Sequence, residues 1–399
     1  MDIYLNRIGY IEKLRPFINK NLIKVIVGQR RVGKSYFIYQ IIDEIKKTDK
    51  NAKIIYINKE DLEFDNIKNY NDLVSYAEEK KSNNAFAYLF IDEIQDIADF
   101  EKALRHFQTK KTWDIYCTGS NADLLSGELS TYLSGRYIEI EIYSLSYPEF
   151  LDFHKLQDNT DSFGSYIKFG GLPYLINLEL KERIVFDYLK NIYAAILYKD
   201  VVARYNIRNA SFLEKLTHFV ADNIGQLQTA KSITNFLKSQ NIKFNNSTVL
   251  DYLNYLTNTF LIFKTKRNDL KGKRILEIGE KYYFGDLGLR HAIAGYKSND
   301  IGQLLENIVF LHLKIKNYEV SIGKLNDKEI DFVCQKDNQI TYIQVTLTLA
   351  SEEIKKREYG NLLAIKDNHK KIVITADEYT TENSDGIEIW NIRRFLSEF

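Results

Sequence analysis

The run Gly28-Gln29-Arg30-Arg31-Val32-Gly33-Lys34-Ser35 constrains this chain more than any other stretch. Residues 22–27, LIKVIV, read as a buried strand that enters the run, and SYFIYQIIDEIKK reads as an amphipathic helix that leaves it. Strand, glycine loop and helix in that order form an anion cradle. The glycines let the backbone wrap a phosphate with its N–H groups turned inward, and the helix that begins near Gly33 aims its positive end at the same charge. The pattern G-x-x-x-x-G-K-[ST] is matched in full, which assigns Lys34 to the β- and γ-phosphates and the Ser35 hydroxyl to a magnesium ion. The implied ligand is ATP or ADP with Mg2+. Gly28, Gln29, Val32, Gly33, Lys34, Ser35 and Tyr36 are expected around it. Arg30 and Arg31 either add charge near the phosphates or face solvent.

Further apolar runs follow at 53–57 (KIIYI), at AYLFIDEI and at 113–118 (WDIYCT), separated by helical text around 71–80 and 101–109. Such alternation implies an α/β fold with a parallel sheet between helices, because strands buried on both faces read as continuous apolar runs. Tyr88-Leu89-Phe90-Ile91 ends in Asp92 and Glu93. Asp92 can hold Mg2+ through water, and Glu93 stands where a general base would polarise an attacking water. Two adjacent carboxylates at a buried strand end repel each other without a cation nearby. Thr118-Gly119-Ser120-Asn121 follows the next strand. Ser120 or Asn121 could orient the water and report hydrolysis, or simply cap the following turn. Arg136, in Ser134-Gly135-Arg136, is a candidate arginine finger, and acting in trans it would require a homo-oligomer.

The chain has 399 residues, enough for two or three domains. Its net charge of +1 excludes a strongly basic nucleic-acid coat, so any such surface must be a local patch. Cys117 and Cys334 show neither metal-ligand spacing nor a disulfide framework, which fits a reducing compartment. The N-terminus lacks an uninterrupted apolar stretch and no run approaches a membrane span, so a cytoplasmic protein without membrane contact is expected. Residues 166–225 read mostly as helices punctuated by Gly170-Gly171-Leu172-Pro173. Two short helices are expected over 229–258, the first using Ile233, Phe236 and Leu237, the second N-capped by Ser247 and using Val249, Leu250, Leu253 and Leu256. A hairpin with a basic tip follows, which completes a winged-helix pattern over 226–290. Lys264, Lys266, Arg267, Lys271, Lys273 and Arg274 could grip the backbone of duplex DNA, and Asn245, Asn246, Ser247, Thr248, Tyr252 and Asn254 could reach its bases. Asp251, Asp269, Glu277 and Glu280 dilute that patch, and packing or protein contact is the alternative use. The last hundred residues, 300–399, read as a separate α/β domain.

Taken together, GQRRVGKS, YLFIDEIQD, the long segment YCTGSNADLLSGELSTYLSGRYIEIEIYSLSYPEFL, GGLP, ENIVF, KEIDFV and YIQV resemble one family. It is the group of bacterial and archaeal AAA-family ATPases with a C-terminal domain of unknown function related to PD-(D/E)xK nucleases, and the likeness spans residues 28–345. The resemblance implies an AAA-type core over 1–165, a helical lid over 166–225, the winged helix, and a nuclease-like tail. It also implies a nucleotide contact from the lid near Gly171 and Pro173. A nuclease of this type holds Mg2+ on carboxylates and uses the lysine of E-x-K to position water. Glu306 and Asp331 fill the first two places, but the third reads Gln344-Val345-Thr346, an uncharged amide without the lysine. Lys355 and Lys356 are the nearby substitutes. A module that keeps the fold without cleaving is the reading this departure favours, with an ATP-regulated DNA endonuclease as the alternative. For the whole chain, ATP hydrolysis coupled to these modules stands against a slow nucleotide-dependent switch.

Overall fold

The computed structural model describes residues 5–81, 86–124, 133, 135–239, 245–271, 274–378 and 383–399. Residues 125–132, Ser134, Lys273 and the side chains of Arg274 and Glu277 lie outside what it describes. The chain divides into two compact units, Met1–Ile142 with Asn258–Phe260, and Tyr143–Thr257 with Leu261–Phe399.

In the first unit, helix α1 (Ile8–Leu14) precedes strand β1 (Ile23–Val27), helix α2 (Lys34–Thr48), strand β2 (Lys53–Asn58) and helix α3 (Tyr70–Lys80). Strand β3 (Ala87–Asp92), helix α4 (Phe100–Lys110), strand β4 (Trp113–Gly119) and strand β5 (Tyr137–Glu141) complete it. The strands form one sheet in the order β2-β3-β4-β1-β5, and every pairing is parallel. β1, β3 and β4 are buried along their whole length, as their apolar text requires. Phe90 and Tyr116 stack across β3 and β4 with centroids 4.5 Å apart. Lys24 of β1 is the exception to the apolar text, and it forms an ion pair with Asp114 of β4 in which neither side chain is exposed. The Tyr116 hydroxyl donates to the same carboxylate at 2.7 Å. Burial pulls the Lys24 ammonium below its ordinary value, against the pull of Asp114.

The glycine loop leaves the carboxyl end of β1, an inner strand that lies between β4 and β5. In open parallel sheets this edge is where ligands bind. The loop's glycines have steric reasons. At Gly28, with φ near 148°, a Cβ would stand 2.2 Å from the carbonyl oxygen of Ile142. Gly33, with φ near 97°, turns the chain into α2.

The second unit opens with α5 (Tyr147–His154), α6 (Thr160–Phe169), α7 (Glu182–Ala195), a π-helical stretch Ile196–Ala203 and α8 (Ala210–Asp222). The short strand β6 (Leu227–Gln228), α9 (Ala230–Ser239), α10 (Asn246–Asn258), β7 (Ile262–Asp269), β8 (Arg274–Phe284) and α11 (Leu287–Ala294) follow. The chain ends with α12 (Ile301–Ile315), β9 (Glu319–Leu325), β10 (Lys328–Lys336), β11 (Gln339–Thr346), α13 (Glu352–Leu363), β12 (Lys370–Thr375), β13 (Asn383–Ser384), β14 (Ile387–Asn391) and α14 (Ile392–Glu398).

The helices and hairpin expected over 229–284 form in the expected order, but the hairpin is not a free-standing wing. β7 pairs in parallel with β9, so a single mixed sheet runs β13-β14-β12-β11-β10-β9-β7-β8-β6. Residues 226–290 and 300–399 therefore share one sheet. Ile330, Tyr342, Leu362, Val373 and Ile387 form a core on it. Helix α12 is buried from Leu304 to Leu313, and Asn307 on it accepts from Phe284 N–H at 2.7 Å and donates to Phe284 C=O at 3.0 Å.

Three local expectations shift. The cap of α10 is Asn245 rather than Ser247, because Asn245 Oδ1 accepts from Thr248 N–H at 2.8 Å. Phe236 and Leu250, expected with the apolar faces of their helices, are 47% and 42% exposed. Gly170 and Gly171 have packing reasons of their own. A Cβ on Gly170 would stand 2.4 Å from Asp286 Oδ1, and one on Gly171 would stand 2.5 Å from the Leu145 carbonyl oxygen. Gly171 N–H donates to Asp286 Oδ2 at 2.8 Å, and the same buried carboxylate caps α11 through Leu289 N–H. Burial pushes Asp286 up to about 6.

Candidate functional site

Lys34 opens α2 at the end of the loop and is buried. Its Nζ donates to the carbonyl oxygens of Gly28 at 2.9 Å and Gln29 at 3.1 Å, and lies 3.9 Å from Glu93 Oε1. Gln29 is 3% exposed, yet neither its amide nitrogen nor its amide oxygen has a hydrogen-bond partner among the described residues. An orphaned amide inside the loop fits a cradle shaped for a polar ligand, since leaving such a group unpaired costs about 1–3 kcal/mol.

Asp92 ends β3 and is almost fully buried. Ser35 and Thr118 both hydrogen-bond its carboxylate, and the Tyr56 hydroxyl donates to Oδ2 at 3.3 Å. Burial nevertheless keeps Asp92 above the ordinary carboxylate value. The Ser35 hydroxyl beside the Asp92 carboxylate is an oxygen pair of the kind a hard cation takes, so these residues fit magnesium.

Glu93 has a left-handed backbone, φ near 55°, which turns the chain sharply after the strand. Its N–H donates to Thr118 Oγ1 at 2.9 Å. Its Oε2 accepts from the Ser120 hydroxyl at 3.2 Å and from the Gln95 amide. Burial pushes Glu93 up, but Lys34, Gln95, Arg30 and Ser120 together hold it below its ordinary value. The carboxylate is thus ionised and tethered at the mouth of the glycine loop.

Of the two residues expected to reach this carboxylate from β4, Ser120 does so. Asn121 is fully buried and its Oδ1 accepts from Asp123 N–H at 2.7 Å, a cap on the short turn Ala122–Leu124. Arg30 pairs with Glu60 at 3.3 Å, Arg31 is exposed, Val32 is buried and Tyr36 is half exposed. Arg136 is exposed, and its backbone carbonyl accepts from Ile23 N–H at 3.0 Å. Tyr56, Gln95 and Thr118 were not anticipated as contacts of the acidic pair. The signal for Thr118 is register: Ile91 lies opposite Cys117, which sets the next residues of β3 and β4 side by side.

In the second unit, Glu306, Asp331 and Gln344 do come together. Asp331 N–H donates to Gln344 Oε1 at 2.8 Å, and Glu306 lies close enough to raise the Asp331 carboxyl, after burial itself. Lys355 pairs with Glu352 at 2.9 Å and Lys356 is exposed, so neither enters the cluster. The lysine that does enter is Lys281 of β8.

Residues 20–151 match the AAA domain family, and residues 160–300 match a domain of unknown function. An uncharacterized protein of Haemophilus influenzae is 38% identical over 393 residues, 96% of either chain. Another, from Methanocaldococcus jannaschii, is 34% identical over 386 residues, 92% of this chain and 84% of its own. Among solved structures, a Walker-type ATPase of Pyrococcus abyssi superposes with a TM-score of 0.51 over 73% of this chain and 96% of its own, at 14% identity, which is a likeness of fold. No described helix is long and apolar enough to cross a membrane.

Proposed function

Since the chain belongs to the same family as the Haemophilus influenzae and Methanocaldococcus jannaschii proteins, and carries an AAA domain, we propose that it binds ATP in the Gly28–Ser35 loop and hydrolyses it. The observation that carries this reading is the convergence of Lys34 and Glu93 at 3.9 Å over a glycine loop at the carboxyl end of the inner strand β1. Lys34 now donates to two neutral carbonyls, and phosphate oxygens are stronger acceptors for the same ammonium. Ser35 and Asp92 would hold magnesium, whose charge offsets that of the phosphates. Glu93, kept ionised by Lys34, is the general base toward water, and Ser120 is the polar residue that orients it.

The slow-switch reading has one observation in its favour. Glu93 Oε2 is engaged by Ser120 and Gln95, and a base so held acts only after those bonds exchange. A duplex DNA partner would meet the exposed run Asn245-Asn246-Ser247 and the exposed Lys266 and Lys271, whereas Lys264 is already paired with Glu280 at 3.4 Å.

The test is ATP hydrolysis and nucleotide binding by the native chain and Glu93→Gln, with and without duplex DNA. The native chain is expected to turn over, and Glu93→Gln to bind ATP with turnover reduced by at least about 100-fold. Binding without turnover in both, DNA present or not, would overturn hydrolysis in favour of the switch.

A further inference from the structure

The resemblance to nucleases implies a divalent cation on Glu306, Asp331 and Gln344, and the donor set there does not fit one. Gln344 Oε1 is taken by Asp331 N–H at 2.8 Å, and its amide nitrogen donates to Glu358 Oε2 at 2.7 Å. Asp331 Oδ2 is taken by Val345 N–H at 2.8 Å. Glu306 Oε1 accepts from the Tyr283 hydroxyl and from Lys281 Nζ, the latter at 2.9 Å. The same ammonium pairs with Glu329 Oε1 at 2.8 Å. One oxygen each of Gln344, Asp331 and Glu306 is therefore already turned toward an N–H or O–H group, and an ammonium stands beside the last.

We propose that Lys281 is the resident cation of this cluster, a tethered substitute for a divalent metal, and that the cluster takes up no metal and supports no metal-dependent cleavage. Four carboxylates gather here, from Glu306 on α12, Glu329 and Asp331 on β10, and Glu358 on α13. Lys281 reaches Glu306 and Glu329 from β8 with a side chain only 5% exposed. Buried charge of one sign is tolerated only when a counter-charge is held among it. Arg357 answers Glu358 from the outer side, at 2.6 Å. An ammonium also lacks what cleavage needs from a metal, since it cannot ligate and acidify a water. The lysine escapes the E-x-K pattern because it arrives from a strand that precedes the whole acidic set in the chain.

The experiment is Mn2+ binding by electron paramagnetic resonance on the full chain without nucleotide, in an Asp92→Asn background that removes the carboxylate of the nucleotide site. With Lys281 present, only free ion is expected. Lys281→Met in that background is expected to gain one bound Mn2+ per chain, at least roughly ten-fold tighter, and to lose it again when Asp331→Asn is added. Two results would overturn the proposal. One is Mn2+ held with Lys281 in place and released by Asp331→Asn alone. The other is a folded Lys281→Met chain that takes up no Mn2+. Should Lys281→Met fail to fold, the comparison of the Asp92→Asn chain with and without Asp331→Asn decides alone, since the absence of an Asp331-dependent site supports the lysine and its presence refutes it.

Discussion

Ser120 and Asn121 are neighbours in the turn that follows β4, and the structure separates what each can do. Ser120 donates to the Glu93 carboxylate at 3.2 Å, while Asn121 spends its amide oxygen on Asp123 N–H. A hydrogen bond to a charged group near the reacting water matters for turnover, whereas a capping bond matters for folding. Ser120→Ala is therefore expected to lower kcat roughly ten-fold with ATP binding retained. Asn121→Ala is expected to cost about 1 kcal/mol of stability and to leave kcat nearly unchanged in the folded fraction. Steady-state hydrolysis beside urea denaturation checks both, and a kcat collapse in Asn121→Ala alone would transfer the sensor role to Asn121. The Lys24–Asp114 pair makes a second residue-scale case, because it lies wholly inside the sheet. Lys24→Met removes the counter-charge of Asp114 and leaves it the hydrogen bonds from Tyr116 and Asn19 N–H, and is expected to cost about 3–5 kcal/mol. Adding Asp114→Leu should return part of that loss in the same denaturation measurement, because the uncompensated charge leaves with it.

At the level of elements, the junction of α6 and α11 turns on Asp286. Gly171 N–H and Leu289 N–H donate to it, and any Cβ on Gly170 would collide with it. Its folded-state value of about 6 lies above the ordinary 3.8, so across that window the folded chain holds a proton that the unfolded chain has released. The sign follows. This group's contribution is full below about pH 4 and is lost as pH rises through about 6. The stability of the native chain relative to Asp286→Asn should therefore fall across that window by about 2–3 kcal/mol at most. Urea midpoints at several pH values measure it, and a flat difference would show that Asp286 titrates in the folded chain as it does in the unfolded one. None of this is legible in GGLP, which reads equally as a turn or as a ligand contact, because the reason for Gly170 sits more than a hundred residues away at Asp286 and that for Gly171 lies at Leu145, in another element. The opposite holds for β1, β3 and β4 and for the glycine loop. Strands buried on both faces must be apolar throughout, and a phosphate cradle must have its glycines and lysine at fixed spacing, so both are written locally. Lys281 was invisible for the same reason as Asp286: its partners Glu306 and Glu329 meet it only once the sheet has closed.

Across the second unit as a whole, the similarity to a domain of unknown function stops at residue 300, but the fold does not. β7 is hydrogen-bonded to β9 through Arg267, Asn268 and Asp269, and β8 leans on α12 through Asn307, which satisfies both backbone groups of Phe284. Lys281 finds its counter-charges only beyond that point, at Glu306 and Glu329. A chain ended after residue 300 would leave β7 as an open strand edge beside exposed apolar surface, a template for pairing with other chains. It would also leave a lysine with no carboxylate to meet and two backbone groups of Phe284 without partners. Such a truncation is expected to be insoluble or to form high-mass species on size-exclusion chromatography, where the full chain is expected to elute as a defined particle. The nucleotide loop cannot compensate, since residues 28–35 belong to the first unit, and nucleotide stabilises only the state that binds it. Adding ATP should accordingly leave the aggregation of the truncated chain unchanged. A soluble truncation of defined size would mean instead that residues 143–300 close a core of their own, and that the nine strands form one sheet without folding as one body.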